Sequence, residues 1–288
     1  MTAPARAGPP PCAATPDWLV PHWPAPPAVR AVCTTRVGGV STPPFDDFNL
    51  GDHVGDDPAA VAINRARLHR ALGVRPVFLR QVHGTAVASL GATTPDGTEA
   101  DAACTTRPWL ACTILVADCL PVLLTDRQGR AVGAAHAGWR GLAGRPGAAA
   151  GPPAGVLESL VEAFCREAGV PWSSDATKRG ANDLLAWLGP CIGPSAFEVG
   201  TEVREAFLAA APEAEACFTP AGGGKYRANL AALARQRLRA LGVDAVYGND
   251  GSPAWCTVSQ PSRFFSHRRD STRFGGTGRL AACIWLEG

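Results

Sequence analysis

Three short motifs, each set in apolar sequence, constrain the fold of this 288-residue chain more than any other feature. They are QVHG (81–84), ADCLPVLL (117–124) and AHAGWRG (135–141). Each motif holds one side chain that binds metals well, and these are His83, Cys119 and His136. The three positions are 36 and 17 residues apart, so they belong to different secondary-structure elements, whereas a zinc finger keeps its ligands in close pairs. If the three act together, distant segments must converge in the folded core.

The chemistry of these side chains points to a catalytic metal site. Two imidazoles and one thiolate form a donor set that suits zinc, with copper as the alternative metal. Three protein ligands leave a fourth position open for water or substrate, which distinguishes a catalytic zinc from a structural one. His83, Cys119 and His136 are therefore both the candidate metal ligands and the candidate catalytic residues. The competing interpretation is a core thiol and two hydrogen-bonded imidazoles.

Asp118, which precedes Cys119, is a candidate for supporting this site. Neighbouring residues on a strand point to opposite faces, so Asp118 and Cys119 are not expected to share one ion. We expect Asp118 to orient a metal-binding imidazole or to hold a turn at the end of the strand.

The composition excludes several classes of protein. Hydrophobic residues make up 46% of the chain, which is enough for a sizeable core. The net charge of +2 gives no basis for a nucleic-acid or membrane surface, and no apolar run reaches the length of a transmembrane helix. Ten scattered cysteines fit a reduced, cytoplasmic protein without a disulfide framework.

The sequence predicts one catalytic domain preceded by an arm. Residues 1–28 are rich in Pro and Ala, which favours a flexible N-terminal arm, and residues 29–288 are expected to form the domain. Within the domain, residues 144–154 and 173–181 are rich in small, Pro or polar residues and predict surface loops.

Strands and helices mix along the domain without a repeat. Strands are predicted over 29–37, 76–84, 110–119, 131–138, 184–189 and 280–286. Helices are predicted over 57–72, 155–168, 201–210 and 229–242. Asp57 and Gly73 carry the start and stop signals of the first helix, and Asn229 is expected to cap the last. Pro121 is expected to bend the chain, because it cannot donate to a strand ladder. This mixture favours a single α/β domain with mixed sheets.

Several residues outside the three motifs are candidates for binding an anion or a substrate. Arg36 in TTRVGG (34–39) lies beside a Gly-Gly turn, where a guanidinium and exposed backbone amides suit a phosphate. Arg36 is the preferred candidate for the phosphate site, and the further candidates are Asn49, Arg268, Arg269 and Arg279. For the arginines, the competing interpretation is salt bridging at the surface.

Taken in order, the motifs resemble those of the bacterial laccase-domain or polyphenol-oxidase family, now regarded as purine nucleoside phosphorylases with adenosine deaminase side activity. The motifs that carry the resemblance are TTRVGGVS, NLGDHVGDDP, QVHG, ADCLPVLL, AHAGWRGL, WLGPCIGPSAFEVG, CTV, RFFSHRRD and TGR. The resemblance runs from about residue 29 to residue 286, nearly the whole chain. The resemblance implies one α/β domain of stacked sheets flanked by helices, and zinc held by His83, Cys119 and His136.

The resemblance also implies the activity and the partners. The expected substrates are purine nucleosides and phosphate, with ribose 1-phosphate and the free base as products. Departures from the family pattern include insertions at 144–154 and 173–181, the segment STRF (271–274), and His267 and Asn229 where the family often has Tyr and Asp. These departures bear on substrate choice rather than on the three metal ligands.

Three other functions compete with this prediction. A multicopper oxidase needs many imidazoles, typically in His-x-His pairs, and the chain has six histidines and no such pair. A cysteine hydrolase would use Cys119 as nucleophile with His136 or His83 as base. A non-enzymatic module would use the zinc only for structure.

Overall fold

The computed structural model describes residues 17–144, 154–172 and 183–288. The predicted loops over 144–154 and 173–181 lie outside the described residues except at Gly144 and Ala154, as does the arm up to residue 16. Residues 17–28 differ from the expected flexible arm. Leu19 and Cys33 exchange two backbone hydrogen bonds of 2.9 and 2.8 Å, which attach this segment to the first strand of the domain.

The described strands form two mixed sheets and one small antiparallel sheet. The five-stranded sheet contains β1 (Val29–Cys33), β2 (Arg75–Arg80), β4 (Thr98–Glu99), β6 (Leu110–Val116) and β14 (Leu280–Leu286), in the order β1-β14-β6-β2-β4. The six-stranded sheet contains β3 (Val87–Ser89), β5 (Ala102–Thr105), β7 (Leu120–Asp126), β8 (Val132–Ala137), β9 (Leu184–Leu188) and β13 (Ala245–Gly248), in the order β13-β9-β7-β8-β5-β3. The small sheet contains β10 (Glu198–Val199), β11 (Phe218–Gly222) and β12 (Lys225–Ala228).

The two large sheets stack face to face and share a buried apolar core. Ile114 and Ile284 from the five-stranded sheet belong to the same buried cluster as Leu123, Val132 and Trp187 from the six-stranded sheet. Because both faces of the central strands are covered, β6 and β7 are buried along their whole length. This explains why they appear in the sequence as continuous apolar runs rather than as alternating ones.

Helices cover the outer faces of the sheets. The helices are α1 (Pro58–Leu72), α2 (Trp139–Ala143), α3 (Val156–Ala168), α4 (Thr201–Leu208), α5 (Leu230–Ala240) and α6 (His267–Phe274). Helix α1 packs Leu68 and Leu72 on the five-stranded sheet, while α3, α4 and α5 build a second core on the six-stranded sheet. The expected α/β domain with stacked mixed sheets flanked by helices is confirmed. No helix in the described part of the chain combines the length and apolarity needed to cross a bilayer.

The helix boundaries follow the signals in the sequence. The Asp57 carboxylate accepts a 2.9 Å hydrogen bond from Ala59 N, and Gly73 ends α1 with φ of 69°. Asn229 caps α5 by accepting a 3.0 Å bond from Ala232 N. These caps satisfy backbone donors that the first turn of a helix leaves free.

Pro121 does not bend the chain as the sequence predicted. It lies inside β7, and the turn comes earlier, at Asp118, whose φ is 88°. The Pro121 carbonyl accepts a 2.9 Å bond from Gly189 N, just beyond the last pair of the β7–β9 ladder at Val122 and Leu188. The proline nitrogen faces the same side of the strand, past the end of the ladder, so its missing N–H leaves no partner unpaired.

Candidate metal centre

Two chain crossings between the large sheets and one strand of the six-stranded sheet bring the predicted metal ligands together. His83 follows β2 of the five-stranded sheet, Cys119 lies in the turn from β6 to β7, and His136 lies in β8 of the six-stranded sheet. Their ligand atoms all lie within 4.8 Å of one another. The Sγ of Cys119 is 3.8 Å from Nε2 of His83, and the two imidazole rings meet edge to face with centroids 4.7 Å apart.

This geometry fits a tetrahedral metal. Bonds of about 2.0–2.3 Å in a tetrahedral zinc site separate the ligand atoms by about 3.5 Å. The measured separation of 3.8 Å between Cys119 and His83 is close to that spacing. His83 is exposed, Cys119 is partly exposed and His136 is buried, so the cluster has a solvent-facing side where a fourth ligand could bind.

Two glycines in AHAGWRG allow these segments to approach. A Cβ on Gly138 would lie 3.0 Å from Cys119 Sγ and 3.1 Å from His83 Cδ2. A Cβ on Gly141 would lie 2.7 Å from the carbonyl oxygen of Gly84. Both contacts are tighter than ordinary van der Waals separations. Side chains at these positions would therefore push the loop after β2, which carries His83, away from the segment at the end of β8 and the start of α2.

Asp101, a residue that the sequence did not single out, orients the buried imidazole. Its Oδ1 lies 2.9 Å from His136 Nδ1, and the backbone N–H of His136 donates to the Asp101 carbonyl at 2.7 Å. The carboxylate also accepts hydrogen bonds from the backbone N–H groups of Val82, His83 and Gly84. Burial raises the pKa of Asp101, but these hydrogen bonds outweigh the burial and lower the pKa below its ordinary value.

Asp118 has a different role from orienting an imidazole. Its Oδ1 accepts a 2.5 Å hydrogen bond from the hydroxyl of Thr257, and its Oδ2 accepts a 2.6 Å bond from the backbone N–H of Arg268. The expected orienting role falls instead to Asp101, because the turn at Asp118 directs its carboxylate toward Thr257 and the first turn of α6. Asp118 therefore ties the turn that carries Cys119 to a distant part of the chain.

The thiol of Cys119 differs from the other cysteines. Burial alone would raise its pKa, but His136 and His83 outweigh the burial and lower the pKa to about 6. Burial raises the pKa of Cys33, Cys191 and Cys283. A thiolate is the form that binds metals, so Cys119 is in the right state for a ligand.

Three of the predicted anion and substrate residues have their polar groups occupied. Arg36 forms an ion pair of 3.2 Å with Asp46 and donates to two backbone carbonyls. Asn49 is fully buried, and its amide donates two hydrogen bonds and accepts two, which uses its full capacity. Arg269 pairs with both carboxylate oxygens of Asp270 at 2.7 Å. These contacts brace loops, and the charge of each of the two arginines already has a carboxylate partner.

The other two arginines have no carboxylate ion pair within the described ranges. Arg268 is exposed and donates to the carbonyls of Ala196 and Glu198. Arg279 is half-buried and donates only to carbonyls of its own segment. Burial lowers the pKa of Arg279, and the nearby Cys119 and Asp118 oppose that shift. Among the predicted anion-binding arginines, Arg279 thus combines an unpaired charge with proximity to the metal ligands.

The comparisons with known proteins agree with the fold and the motifs. Residues 30–287 match a family described as multi-copper polyphenol oxidoreductase laccase. The chain belongs to this family. It is 50% identical over 271 residues to a protein of Pseudomonas aeruginosa named purine nucleoside phosphorylase, and the match covers 94% of this chain and 98% of the relative. It is 46% identical over 270 residues to purine nucleoside phosphorylase YfiH of Escherichia coli, with coverage of 93% and 98%.

Solved structures show the same fold. A protein of Neisseria meningitidis superimposes with a TM-score of 0.81 at 42% identity and covers 94% of this chain and 100% of its own. The protein named YfiH from Bacillus licheniformis superimposes with a TM-score of 0.76 at 30% identity, with coverage of 90% and 93%.

The family description refers to several copper ions, but the metal-binding residues that the structure describes do not form enough sites for them. All six histidines lie within the described ranges, and His83 and His136 are the two that join a metal-binding group there. One group of two imidazoles and a thiolate is too small to hold several copper ions.

Proposed function

We propose that this protein is a zinc-dependent purine nucleoside phosphorylase that also deaminates adenosine. The observation that carries the proposal is that family members 40–50% identical to the chain over 90% or more of its length are named purine nucleoside phosphorylases. The cluster of His83, Cys119 and His136 supports it, because it supplies a metal site with an open face. We propose the same three residues as the catalytic centre, with copper as the alternative metal.

Zinc fits the donor set. When bound, it supplies Lewis-acid chemistry and favours water as a nucleophile near neutral pH. The protein contributes the position of the reacting groups. Buried His136 and partly exposed Cys119 form the floor of the site, and exposed His83 lies at its rim, so a nucleoside would enter from the side of His83.

For phosphorolysis, the protein must also hold phosphate next to the nucleoside. We propose that Arg279 supplies this contact. Its guanidinium lies near Cys119 and Asp118, and no carboxylate of the described residues forms an ion pair with it. Arg36 is less suited, because Asp46 already pairs with it. A guanidinium binds phosphate through two parallel hydrogen bonds, which would orient the anion toward the ribose.

A hydrolase that uses Cys119 as nucleophile is the second candidate. The observation that favours it is the lowered pKa of the Cys119 thiol, with His83 Nε2 3.8 Å from Sγ as a base. A module that uses zinc only for structure is the third candidate. The open, solvent-facing side of the cluster argues against it, because structural zinc sites are closed by a fourth protein ligand.

The test is to incubate the purified protein with inosine at several phosphate concentrations and to identify the sugar product. A phosphorylase gives ribose 1-phosphate at a rate that saturates with phosphate. Adenosine deamination, whose nucleophile is water, proceeds without phosphate. The Cys119→Ala variant should lose both activities and most of its zinc, as measured by mass spectrometry after dialysis. Free ribose as the sole sugar product would contradict the phosphorylase and support the hydrolase.

A further inference from the structure

Three backbone N–H donors and one imidazole nitrogen converge on the carboxylate of Asp101, which is completely buried. Its Oδ1 accepts from the backbone of His83 at 2.9 Å and lies 2.9 Å from Nδ1 of His136. Its Oδ2 accepts from the backbones of Val82 at 3.1 Å and Gly84 at 2.6 Å. Each carboxylate oxygen therefore has two partners, and three of the four partners are backbone N–H donors.

This arrangement fixes the protonation of the buried imidazole. An ionised carboxylate can only accept hydrogen bonds, so Nδ1 of His136 must carry the proton that it shares with Asp101. The other ring nitrogen, Nε2, is then the atom that faces Cys119 and is available to a metal. A carboxylate that holds a metal-binding imidazole in this way sets both its tautomer and its orientation.

The same carboxylate also holds the second histidine. His83 has a φ of 59°, in the left-handed region that residues with side chains rarely adopt. Three consecutive backbone N–H groups, those of residues 82–84, point at Asp101 and hold this turn in place. His83 and His136 come from different sheets, so Asp101 is the point at which their positions are coupled.

We infer that Asp101 is the positioning residue for both metal-binding histidines and thereby sets the affinity of the site for its metal. The inference rests on the proposed metal centre. Asparagine cannot replace Asp101, because its NH₂ group would face two N–H donors at whichever oxygen position it occupied. With the NH₂ group at the Oδ2 position, the backbone N–H groups of Val82 and Gly84 lose their acceptor, which loosens the turn of His83. With the NH₂ group at the Oδ1 position, His83 N loses its acceptor, and the amide can donate to Nδ1 of His136 only in the tautomer that protonates Nε2, which cannot bind a metal.

The experiment compares the dissociation constants of zinc alone for the wild-type protein and for Asp101→Asn, measured by competition with a chromogenic chelator. We expect affinity to fall about 10- to 100-fold, the usual effect of removing a partner of a ligand histidine. The matched control is Asp126→Asn. Asp126 is also fully buried and ion-paired, to Arg130, but lies at the opposite end of β7 from Cys119. Its zinc affinity should stay near that of the wild type.

A second measurement uses the wild-type protein, so its result does not depend on whether the Asp101→Asn variant folds. Protein labelled with ¹⁵N-histidine should show a protonated Nδ1 for His136 by long-range proton–nitrogen correlation, both without metal and with zinc. An unprotonated Nδ1 would overturn the inference, as would unchanged affinity in Asp101→Asn beside tight wild-type binding. A wild-type protein that binds no zinc would overturn the proposed metal centre itself.

Discussion

At the scale of single residues, the candidate centre depends on positions where a side chain would not fit. Gly138 has φ of −66° and ψ of 158°, a conformation open to any residue, so Gly138→Ala adds only the Cβ and its contacts. That Cβ would press on Cys119 Sγ and His83 Cδ2. We expect zinc affinity to fall by about tenfold, the lower end of what disturbing a ligand's surroundings costs. Chelator competition measures it, with unfolding temperature as a check on the fold.

The control for this variant is Gly91→Ala. A Cβ on Gly91 would meet only Thr94 Oγ1, at an ordinary contact distance of 3.8 Å, and we expect no change in zinc affinity. Equal affinity in Gly138→Ala and Gly91→Ala would show that the metal ligands tolerate the added methyl group. The close contact with Cys119 and His83 would then not explain why position 138 is a glycine.

A second prediction at this scale compares Arg279, the proposed phosphate-binding residue, with Arg36, the residue that the sequence favoured. Arg279→Gln should raise the phosphate concentration at half-maximal inosine cleavage about tenfold or more, because losing a charged hydrogen bond costs about 1.5–3 kcal/mol. Arg36→Gln is the matched variant and should change this concentration little, since Asp46 already pairs with Arg36. Initial rates over a range of phosphate concentrations measure both. The reverse result would move the phosphate site to Arg36.

The three metal-binding residues could be recognised in the sequence, whereas the carboxylate that positions the two histidines could not. His83, Cys119 and His136 stood out by chemistry and by their place at the ends of apolar runs. Asp101 is a lone carboxylate 35 positions before His136 and carries no local signal. It reaches His136 only because β5 and β8 pair with Ala102 opposite Ala135. Sheet register of this kind is set by long-range packing, which one sequence does not reveal.

At the scale of secondary-structure elements, the hydrogen bond that caps α1 should contribute measurably to stability. Asp57→Ala removes the acceptor for Ala59 N and should lower the free energy of unfolding by about 1 kcal/mol. Because Asp57 is exposed and its side chain accepts a hydrogen bond from the first turn of α1, and not from any of the three metal ligands, zinc affinity should not change. Urea denaturation followed by circular dichroism measures the loss. A variant as stable as the wild type would mean that water or Asp56 caps this helix equally well.

Elements with local signals were predictable, and elements that depend on partners were not. The cap residues Asp57 and Asn229 marked helix starts correctly because capping is a contact within one turn. Pro121 misled the sequence interpretation, since a proline is excluded from a strand only where its nitrogen needs a partner. Whether the nitrogen needs one depends on where the neighbouring strand ends, and that is a property of the assembled sheet.

At the scale of the whole molecule, the candidate centre lies where the chain passes from one large sheet to the other. His83 and Cys119 lie in connections between the two sheets, and His136 belongs to the six-stranded sheet alone. A metal held by all three would cross-link the two layers of the fold at one end of their shared core. Metal binding and global stability should therefore be coupled.

This coupling gives the last prediction, which concerns removal of the metal. A metal that binds only the folded state stabilises it by about 2.7 kcal/mol at a free concentration of 100 times its dissociation constant. For a protein of this size, that corresponds to an unfolding temperature about 4–5 °C higher with zinc than after chelation. Scanning calorimetry measures the difference, and zinc added back should restore the higher temperature. In Cys119→Ala, zinc and chelator should give the same unfolding temperature. A zinc-dependent shift that persists in Cys119→Ala would place the stabilising ion elsewhere in the chain.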